Sequence, residues 1–351
     1  MHDLAPLARF GGLVATDLRD VTSDPEALDS AGFWAVAADF EGRLTCARFG
    51  DVRHEPVPAP EPGAWRGPAA GDWTSSLDRE AYTAGVRRIR EHIAAGEVYQ
   101  ANLCRVLSAP VPDPGAADVD ALTALLARGN PAPYAGTIRL PAYGVEIATA
   151  SPELYLRRDA RTVESGPIKG TGRTAADLLE KDHAENVMIV DLVRNDLGRV
   201  CATGSVTVPA LCAVESHPGL VHLVSTVRGE LTPGAGWREL LGATFPPGSV
   251  TGAPKSSALR VIEALETAPR GPYCGGIGWV DADRRAGELA VGIRTFWIDR
   301  SAPGGPVLRF GTGAGITWGS DPEREWEETE LKASRLLTVA SGAYAHSGRT
   351  V

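Results

Sequence analysis

Acidic side chains recur at helical spacing in two segments that the sequence predicts to be helices. Glu325, Glu328 and Lys332 are separated by three and four residues, so they share one face of a helix near the C-terminus. Asp182 and Glu185 are three residues apart in a second predicted helix. Solvated charge pairs are the commoner meaning of such spacing. One carboxylate from each of two helices, with positions left for water and a ligand, is also how proteins hold Mg²⁺.

Lysine is rare in this chain, with four residues among 35 cationic side chains: Lys169, Lys181, Lys255 and Lys332. Only an amine can lose its proton and attack carbon, so a lysine in an arginine-rich sequence can mark chemistry that arginine cannot do. Lys169 lies in GPIKGTG, among apolar and glycine neighbours that would lower its pKa and favour a nucleophile or base. A surface-loop lysine is the alternative that local sequence leaves open.

Other polar groups offer weaker indications. Glu153 follows Ser-Pro and is a candidate general acid or base, although a plain loop carboxylate fits the same sequence. The glycine-rich run over 311–319 lacks the spacing of nucleotide-binding motifs, but its backbone amides could bind a carboxylate. His222 lies between apolar residues, which is typical of a buried histidine. Five cysteines without a CxxC pair predict free thiols.

Composition excludes several classes of function. The chain of 351 residues is 43% hydrophobic and carries a net charge of -9, which disfavours nonspecific binding to nucleic acid or to an acidic membrane. Its beginning lacks the pattern of a secretory signal, and no apolar run has the length of a membrane span. We therefore expect a soluble cytoplasmic protein that binds neither nucleic acid nor membrane.

These candidate residues must be positioned by a mixture of helices and strands. Helices are predicted over residues 79–95, 117–128, 174–196, 256–266 and 322–340. Strands are predicted over residues 32–38, 43–49, 98–107, 143–150, 154–157, 206–208, 221–228, 275–280, 289–298 and 307–310. The order is not a strict alternation, which favours α+β layers over a doubly wound sheet. Residues 55–72 hold five prolines and predict an extended strap.

Nine segments, in order, resemble the chorismate-utilising enzymes, a family of anthranilate, aminodeoxychorismate, isochorismate and salicylate synthases. They are GEVYQANL (96–103), ASPELYL (150–156), GPIKGTGRT (166–174), AENVMIVDLVRNDLGRV (184–200), HLVSTVRGEL (222–231), FPPGSVTGAPK (245–255), GPYCGGIGW (271–279), VGIRTF (291–296) and GAGITWGSDPEREWEETELKA (313–333). The resemblance implies the α+β fold of anthranilate synthase component I, with two facing, largely antiparallel sheets flanked by helices. It assigns residues 78–342 to the catalytic domain, 1–77 to a shortened N-terminal region of the same fold, and 343–351 to a tail.

The resemblance also implies roles for the acidic residues. Glu185 and Glu328 would bind Mg²⁺, and Asp182 and Glu325 would support the metal through water. Glu153 would be the general acid that protonates the departing C4 hydroxyl of chorismate, because an oxygen leaving group needs a proton.

Substrate-binding positions are implied in the same way. They are Gln100, Thr171, His222, Tyr273, Arg294, Gly313, Ala314, Gly315 and Lys332. The ring carboxylate of chorismate would lie at the metal and at backbone amides near residues 313–315, with Lys332 close. The enolpyruvyl carboxylate would meet Arg294 and Tyr273.

Two positions separate the subfamilies. Isochorismate and salicylate synthases place a water-activating lysine where this chain has Gln100, so the resemblance implies ammonia as the nucleophile. Anthranilate synthases usually have alanine where this chain has Lys169, whereas aminodeoxychorismate synthases have Pro-Ile-Lys-Gly-Thr, as here. The lysine would attack C2 of chorismate, and ammonia would then displace it by attack at C4. The product would be 4-amino-4-deoxychorismate, a precursor of 4-aminobenzoate and folate.

Departures from the family pattern bear on partners and regulation. The sequence shows no Leu-Leu-Glu-Ser segment of the kind that binds tryptophan as a feedback inhibitor, so regulation by tryptophan is not expected. It also shows no fused glutaminase, so ammonia is expected from a separate glutamine amidotransferase subunit. The short N-terminal region puts the docking surface for that subunit in question. The alternatives are anthranilate synthase component I, a synthase of secondary metabolism that makes aminodeoxychorismate or isochorismate, and a noncatalytic chorismate-binding subunit.

Overall fold

The computed structural model describes residues 4–56, 58–59, 61, 63–172, 174–178, 180–217 and 220–342. Its strands are β1 (Leu7–Phe10), β2 (Leu13–Thr22), β3 (Phe33–Ala38), β4 (Leu44–His54), β5 (Thr74–Ser75), β6 (Gln100–Pro110), β7 (Tyr134–Leu140), β8 (Val145–Ser151), β9 (Leu154–Asp159), β10 (Thr162–Gly166), β11 (Ile168–Gly172), β12 (Thr207–His217), β13 (Leu220–Glu230), β14 (Gly252–Ala253), β15 (Gly276–Asp281), β16 (Ala286–Val291), β17 (Thr295–Asp299) and β18 (Val307–Ile316). The helices are α1 (Arg79–Ala94), α2 (Val119–Gly129), α3 (Glu180–Gly198), α4 (Trp237–Thr244), α5 (Lys255–Leu265) and α6 (Pro322–Ala340).

The strands form one continuous curled sheet in which every described pairing is antiparallel. Its path runs β6, β18, β17, β8, β7, β1, β2, β4, β3, β15, β16, β9, β10, β13 and β12. The strand β11 adds to β13 at the same end of the path as β12. The fold expected from the sequence is confirmed, with one refinement: hydrogen-bonded strands join the two expected sheets into one.

Helices cover this sheet and carry several of the candidate residues. The helix α3 packs on β11, β12 and β13, whereas α6 packs on α1, α2 and β18. Leu122 and Leu126 of α2 share a buried apolar cluster with Val339 of α6 and with Phe296 and Phe310 of the sheet. Burial of this cluster fixes α6 against β18, and therefore fixes the face of α6 that carries acids and a lysine.

Capping residues set the ends of two of the helices. Asp78 accepts a hydrogen bond from the Ala81 amide at 2.8 Å, and α1 is followed by Gly96 with a φ of 75°. Asp321 caps α6 by accepting from the amides of Glu323 and Arg324, both at 3.1 Å.

The strands predicted over 206–208 and 307–310 are longer in the structure, as β12 and β18. Two other predicted elements differ in where they begin or break. The single strand predicted over 289–298 is divided into β16 and β17. Arg294, between them, has a φ of 52°, which lies outside the extended region of a regular strand. The helix predicted from 174 begins at Glu180 in the described chain. Residues 174–177 form a short turn in which the Asp177 carboxylate accepts from the Thr174 amide at 2.8 Å.

The N-terminal strands are built into the same sheet, since β1 pairs with β7 and β3 pairs with β15. In the proline-rich strap, Trp65 is buried and its indole Nε1 donates to the Ala340 carbonyl at 2.6 Å. The tail assigned to 343–351 lies outside the described residues. No described helix has both the length and the apolar character that crossing a membrane requires.

Candidate active site

Glu153 lies in the turn between β8 and β9 with 4% of its surface exposed. Its amide donates to the Ser151 hydroxyl at 3.2 Å, which fixes the backbone of the turn. Burial raises the pKa of the Glu153 carboxyl to about 7, against the opposing effects of hydrogen bonds to the Ser249 side chain and the Ile168 amide and of the Lys169 charge. Near neutral pH this carboxyl can therefore hold a proton and release it.

Lys169 projects from β11 and is partly buried. Its Nζ donates to the Ser249 carbonyl at 3.1 Å. Burial lowers the pKa of the Lys169 amine, although the charges of Glu185 and Glu153 act in the opposite direction. A larger fraction of this amine is consequently uncharged than in a lysine on the surface, and the uncharged form is the nucleophile.

The acids of the two predicted metal helices do come together. Burial raises the pKa of Glu185 on α3, and the charge of Glu328 on α6 raises it further, so the two carboxylates are within electrostatic range. Glu328 forms an ion pair with Lys332 at 2.7 Å. Burial acts to raise the pKa of Glu328, but Lys332 and Lys181 outweigh it and hold that pKa below its usual range.

Asp182 and Glu325 flank this pair. The Asp182 Cβ lies 2.9 Å from where a Cβ on Gly170 would be, and Gly170 has a φ of 76°. Only glycine fits there, and its absence of a side chain lets α3 approach β11. Glu325 is buried, which raises its pKa despite a hydrogen bond with Ser320.

The donor set fits Mg²⁺. Hard carboxylate oxygens arrive from separate helices, and their mutual repulsion would be relieved by a divalent cation. Among the described residues, no three His, Cys, Asp or Glu side chains are grouped tightly enough to enclose a metal ion by themselves. A metal held by Glu185 and Glu328 would need water and substrate to complete its shell.

The glycine run in β18 offers backbone donors. The amides of Asn102 and Cys104 in β6 bond to other partners, the Thr251 carbonyl and the Glu266 carboxylate. Their opposite residues, Gly315 and Gly313, therefore have amides that face away from β6. The Gly313 carbonyl on the same side accepts from Lys332 Nζ at 3.0 Å.

Ala314 differs from these two glycines. In the regular ladder it alternates with them, so its amide faces β6 and is not a free donor toward substrate. The expectation that residues 313–315 together bind a carboxylate therefore narrows to Gly313 and Gly315.

Arg294 and Tyr273 are placed differently from one another. The Arg294 carbonyl accepts from the Ala150 amide at 3.0 Å, while its guanidinium has no ion pair within the described chain. Burial and the charge of Arg335 lower the pKa of Arg294. A bound anion would therefore stabilise the charged guanidinium. The Tyr273 ring fills the space beside Gly311, and its hydroxyl contacts the Cys104 thiol. No hydrogen bond between described atoms joins Tyr273 to Arg294.

Three further expected residues lie near these groups. Gln100 is 1% exposed, and its Oε1 is buried without a hydrogen-bond partner in the described protein. Its Nε2 lies 2.1 Å from where a Cβ on Gly315 would be, so the amide reaches the glycine run. His222 is buried in β13, opposite Thr171. The side chain of Thr171 lies outside the described part.

Ser249 is a residue that the sequence did not single out. Its side chain bonds to Glu153 and its carbonyl accepts from Lys169, so it links the candidate acid to the candidate nucleophile. A serine in FPPGSVTGAPK carries no charge or spacing that marks it. Its only sequence signal is its place in a segment matching the family.

Comparison with known proteins identifies the family of the chain. Residues 29–338 match the model of the family described as chorismate binding enzyme. The chain is 38% identical to anthranilate synthase component 1 of Thermus thermophilus over 92% of this chain and 66% of that protein. It is 36% identical to aminodeoxychorismate synthase component 1 of Escherichia coli over 76% of this chain and 59% of that protein. The chain thus spans less than two thirds of the length of these relatives.

A solved structure shows the same fold. The putative 2,3-dihydroxybenzoate-specific isochorismate synthase DhbC from Bacillus anthracis has a TM-score of 0.79 and 25% sequence identity, covering 95% of this chain and 96% of that one. The family match extends over most of the chain, and it includes the acidic helices, the glycine run and Glu153. The protein is a member of the chorismate binding enzyme family.

Proposed function

We propose that the protein is an aminodeoxychorismate synthase component I, which aminates chorismate at C4 to give 4-amino-4-deoxychorismate. The observation that carries this proposal is the partly buried amine of Lys169, whose pKa is lowered and which shares Ser249 with the candidate acid Glu153. An amine so placed can act as a nucleophile, and an arginine could not.

The reaction proceeds by two displacements. Neutral Lys169 bonds through Nζ to C2 of chorismate while the ring double bonds shift and the C4–O bond breaks. Glu153 gives its proton to the leaving oxygen, which departs as water. Ammonia then bonds to C4, the double bonds shift back, and the C2–N bond breaks to release Lys169. The Lys169 nitrogen sheds a proton to solvent and the ammonia nitrogen gives one to the departing Lys169 amine, so Glu153 is left as a carboxylate that must be protonated again.

Binding of the substrate carboxylates uses the charges around this pair. Arg294 receives one carboxylate, and the amides of Gly313 and Gly315 receive the other beside Lys332. Mg²⁺, held by Glu185 and Glu328 with Asp182 and Glu325 behind them, would neutralise that second carboxylate among acidic side chains.

Ammonia is the nucleophile that suits Gln100. An amide side chain cannot deprotonate water, but its unpartnered Oε1 can accept a hydrogen bond from ammonia. We propose that a glutamine amidotransferase subunit supplies the ammonia and that the product serves 4-aminobenzoate and folate synthesis. The pairing rests on the aminodeoxychorismate and anthranilate synthases among the relatives, which are named as components.

The test is product identity. The protein is incubated with chorismate, Mg²⁺ and ammonium, and the products are separated by chromatography. We expect 4-amino-4-deoxychorismate as the main product. Anthranilate, salicylate or isochorismate as the main product would refute the proposal.

Anthranilate synthase component I is the second candidate. One relative with that name is 38% identical over 92% of this chain, and two aminodeoxychorismate synthases are 36% and 39% identical, so identity does not separate the two candidates. Lysine at 169, where that subfamily usually has alanine, argues against it. The same chromatogram separates the two, because anthranilate carries its nitrogen at C2.

A further inference from the structure

Glu153 lines a cavity of about 20 Å³ in the interior of the protein. Its other polar lining residues include Ser165, Asp196, Thr244 and Ser249. Among the described residues that line the cavity, Glu153 is the one that was assigned a role above as acid, nucleophile, metal ligand or substrate contact. The candidate acid therefore touches a second compartment, apart from the groups that face the substrate.

The cavity suits one water molecule. A buried water needs roughly 10–15 Å³ and two to four polar partners. The Ser165 hydroxyl has no hydrogen bond to any described residue, although Ser165 is 6% exposed. Only Oδ2 of the Asp196 carboxylate has a described partner, which leaves Oδ1 to accept a hydrogen bond. A water here would satisfy both groups and contact Glu153.

Asp196 connects the cavity to a lysine. It lies on α3 with 3% of its surface exposed, and its Oδ2 accepts from Lys255 Nζ at 2.6 Å. The same Nζ donates to the Thr244 carbonyl at 2.8 Å. The Lys255 side chain is 16% exposed, so Lys255 connects Asp196 and the cavity to solvent.

We propose that Asp196 and Lys255 are positioning residues that deliver protons to Glu153 through a water molecule in this cavity. The path lets the acid recover its proton while substrate occupies the other side. The inference rests on the proposed role of Glu153 as the proton donor to the leaving oxygen.

Proton transfer along the path is balanced. The water gives a proton to the Glu153 carboxylate and takes one from Asp196, which takes one from the Lys255 ammonium. Solvent then restores the proton of Lys255. One proton moves from solvent to Glu153, and every other group regains its starting state. Lys169 is the charged group that faces Glu153 on its substrate side.

The electrostatics lower the cost of moving a proton within the Asp196–Lys255 pair. Burial raises the pKa of Asp196, opposed by Lys255 and by Arg199. Burial also lowers the pKa of Lys255, opposed by Asp196 and assisted by Arg199. Tyr155 faces Asp196 from β9 as a further titratable group. The two shifts bring the acid and the amine closer in proton affinity.

Replacing Lys255 by arginine distinguishes a role in proton transfer from a role as a structural ion pair with Asp196. Lys255→Arg keeps a cation beside Asp196 but cannot release a proton at ordinary pH. We expect kcat for chorismate turnover to fall about 10-fold or more at pH 8.5, and less than about 2-fold at pH 6, where solvent protons are plentiful. Asp196→Asn should show the same loss of kcat, large at pH 8.5 and small at pH 6. An equal loss at both pH values, or none, with an unchanged melting temperature overturns the proposal.

A cavity-filling variant tests the water directly. Val193 lines the cavity from α3, so Val193→Ile places an extra methylene where the water would lie. Val190 is on the same helix but lines a separate open groove, so Val190→Ile is the matched control. We expect the pH-selective loss in Val193→Ile and wild-type kinetics in Val190→Ile. Wild-type kinetics in both variants would contradict the path.

Failure of the proposed reaction can be recognised separately. Chorismate turnover by the wild-type protein tests that reaction by itself, whereas the path is judged from ratios between variants. A crystal structure of the wild-type protein gives a readout that needs no activity. We expect an ordered water within hydrogen-bond distance of both Glu153 and Asp196, and an empty cavity would rule the path out.

Discussion

Burial changes the acid–base chemistry of Glu153 and Lys169 in opposite directions. It raises the pKa of the carboxyl to about 7 and lowers the pKa of the amine, because a low-dielectric environment disfavours both charged forms. The two groups are thereby suited to act as a proton donor and a nucleophile near neutral pH. A lysine can take this role and an arginine cannot, which gives the scarcity of lysine in this sequence a chemical meaning at one position.

The nucleophile can be tested with a charge-preserving control. Lys169→Ala removes the amine, and Lys169→Arg keeps a positive charge that cannot be deprotonated. We expect both variants to lose C4 amination by about 100-fold or more, because the covalent step is absent. The product is quantified by chromatography after incubation with chorismate, Mg²⁺ and ammonium. C4 amination at the wild-type rate in Lys169→Arg would exclude the covalent intermediate.

The carboxyl of Glu153 should also make the stability of the folded protein depend on pH. Its folded-state pKa is raised, so the folded protein binds more protons than the unfolded chain between about pH 4.3 and 7. Its contribution to stability is therefore most favourable at low pH and is lost as pH rises toward 7.

Glu153→Gln should consequently raise the melting temperature relative to wild type at pH 8 and change it less at pH 5. Thermal unfolding at both pH values measures the difference. Glu327→Gln, the same change at an exposed position of α6, should leave the pH dependence as it is. A Glu153→Gln effect that is equal at the two pH values would mean that the carboxyl is not buried in its neutral form.

At the scale of elements, α3 is held in register by a buried amide. Asn186 Nδ2 donates to the Leu223 carbonyl of β13 at 3.1 Å, and its Oδ1 accepts from the Ser225 hydroxyl. Asn186 is adjacent to Glu185, and Leu223 lies opposite Lys169 in the sheet. This side chain thus contributes to the spacing between a candidate metal ligand and the candidate nucleophile.

Asn186→Ala should therefore weaken both the fold and metal binding. Leaving the Leu223 carbonyl and the Ser225 hydroxyl without this partner should cost about 1–3 kcal/mol of unfolding free energy, measured by denaturant titration. The Mg²⁺ concentration needed for half-maximal activity should rise as well. Arg194→Ala on the same helix removes only an exposed ion pair with Asp191 and should change neither quantity much. Unchanged Mg²⁺ dependence in Asn186→Ala would assign the amide to stability alone.

Local patterns predicted most elements, and the misses have physical causes. The caps Asp78 and Asp321 lie where their side chains could be recognised from sequence. The division between β16 and β17 could not be foreseen, because an arginine seldom adopts the positive φ that Arg294 has. Which backbone amides of residues 313–315 are free to bind a carboxylate depends on the register of β18 against β6. That register is set by the whole sheet.

At the scale of the whole molecule, the curled sheet brings its two ends together at the site. The end formed by β6 and β18 contributes Gln100 and the glycine run, and α6 packs against it. The end formed by β11 and β13 contributes Lys169, and α3 packs against it. Proximity of these distant segments is a property of the curled path of strands, so no local pattern could predict it.

A metal at Glu185 and Glu328 would therefore cross-link the two ends of the sheet. We expect Mg²⁺ at about 100 times its Kd to stabilise the folded protein by about 2.7 kcal/mol, seen as a higher melting temperature. Hydrogen exchange should slow in α3 and α6 together, since each supplies one ligand. Glu185→Gln and Glu328→Gln should each abolish both effects, whereas Glu327→Gln, exposed on the same helix as Glu328, should keep them. Protection confined to one helix would show that the ion does not bridge the ends, because a bridging ligand must restrain both helices at once.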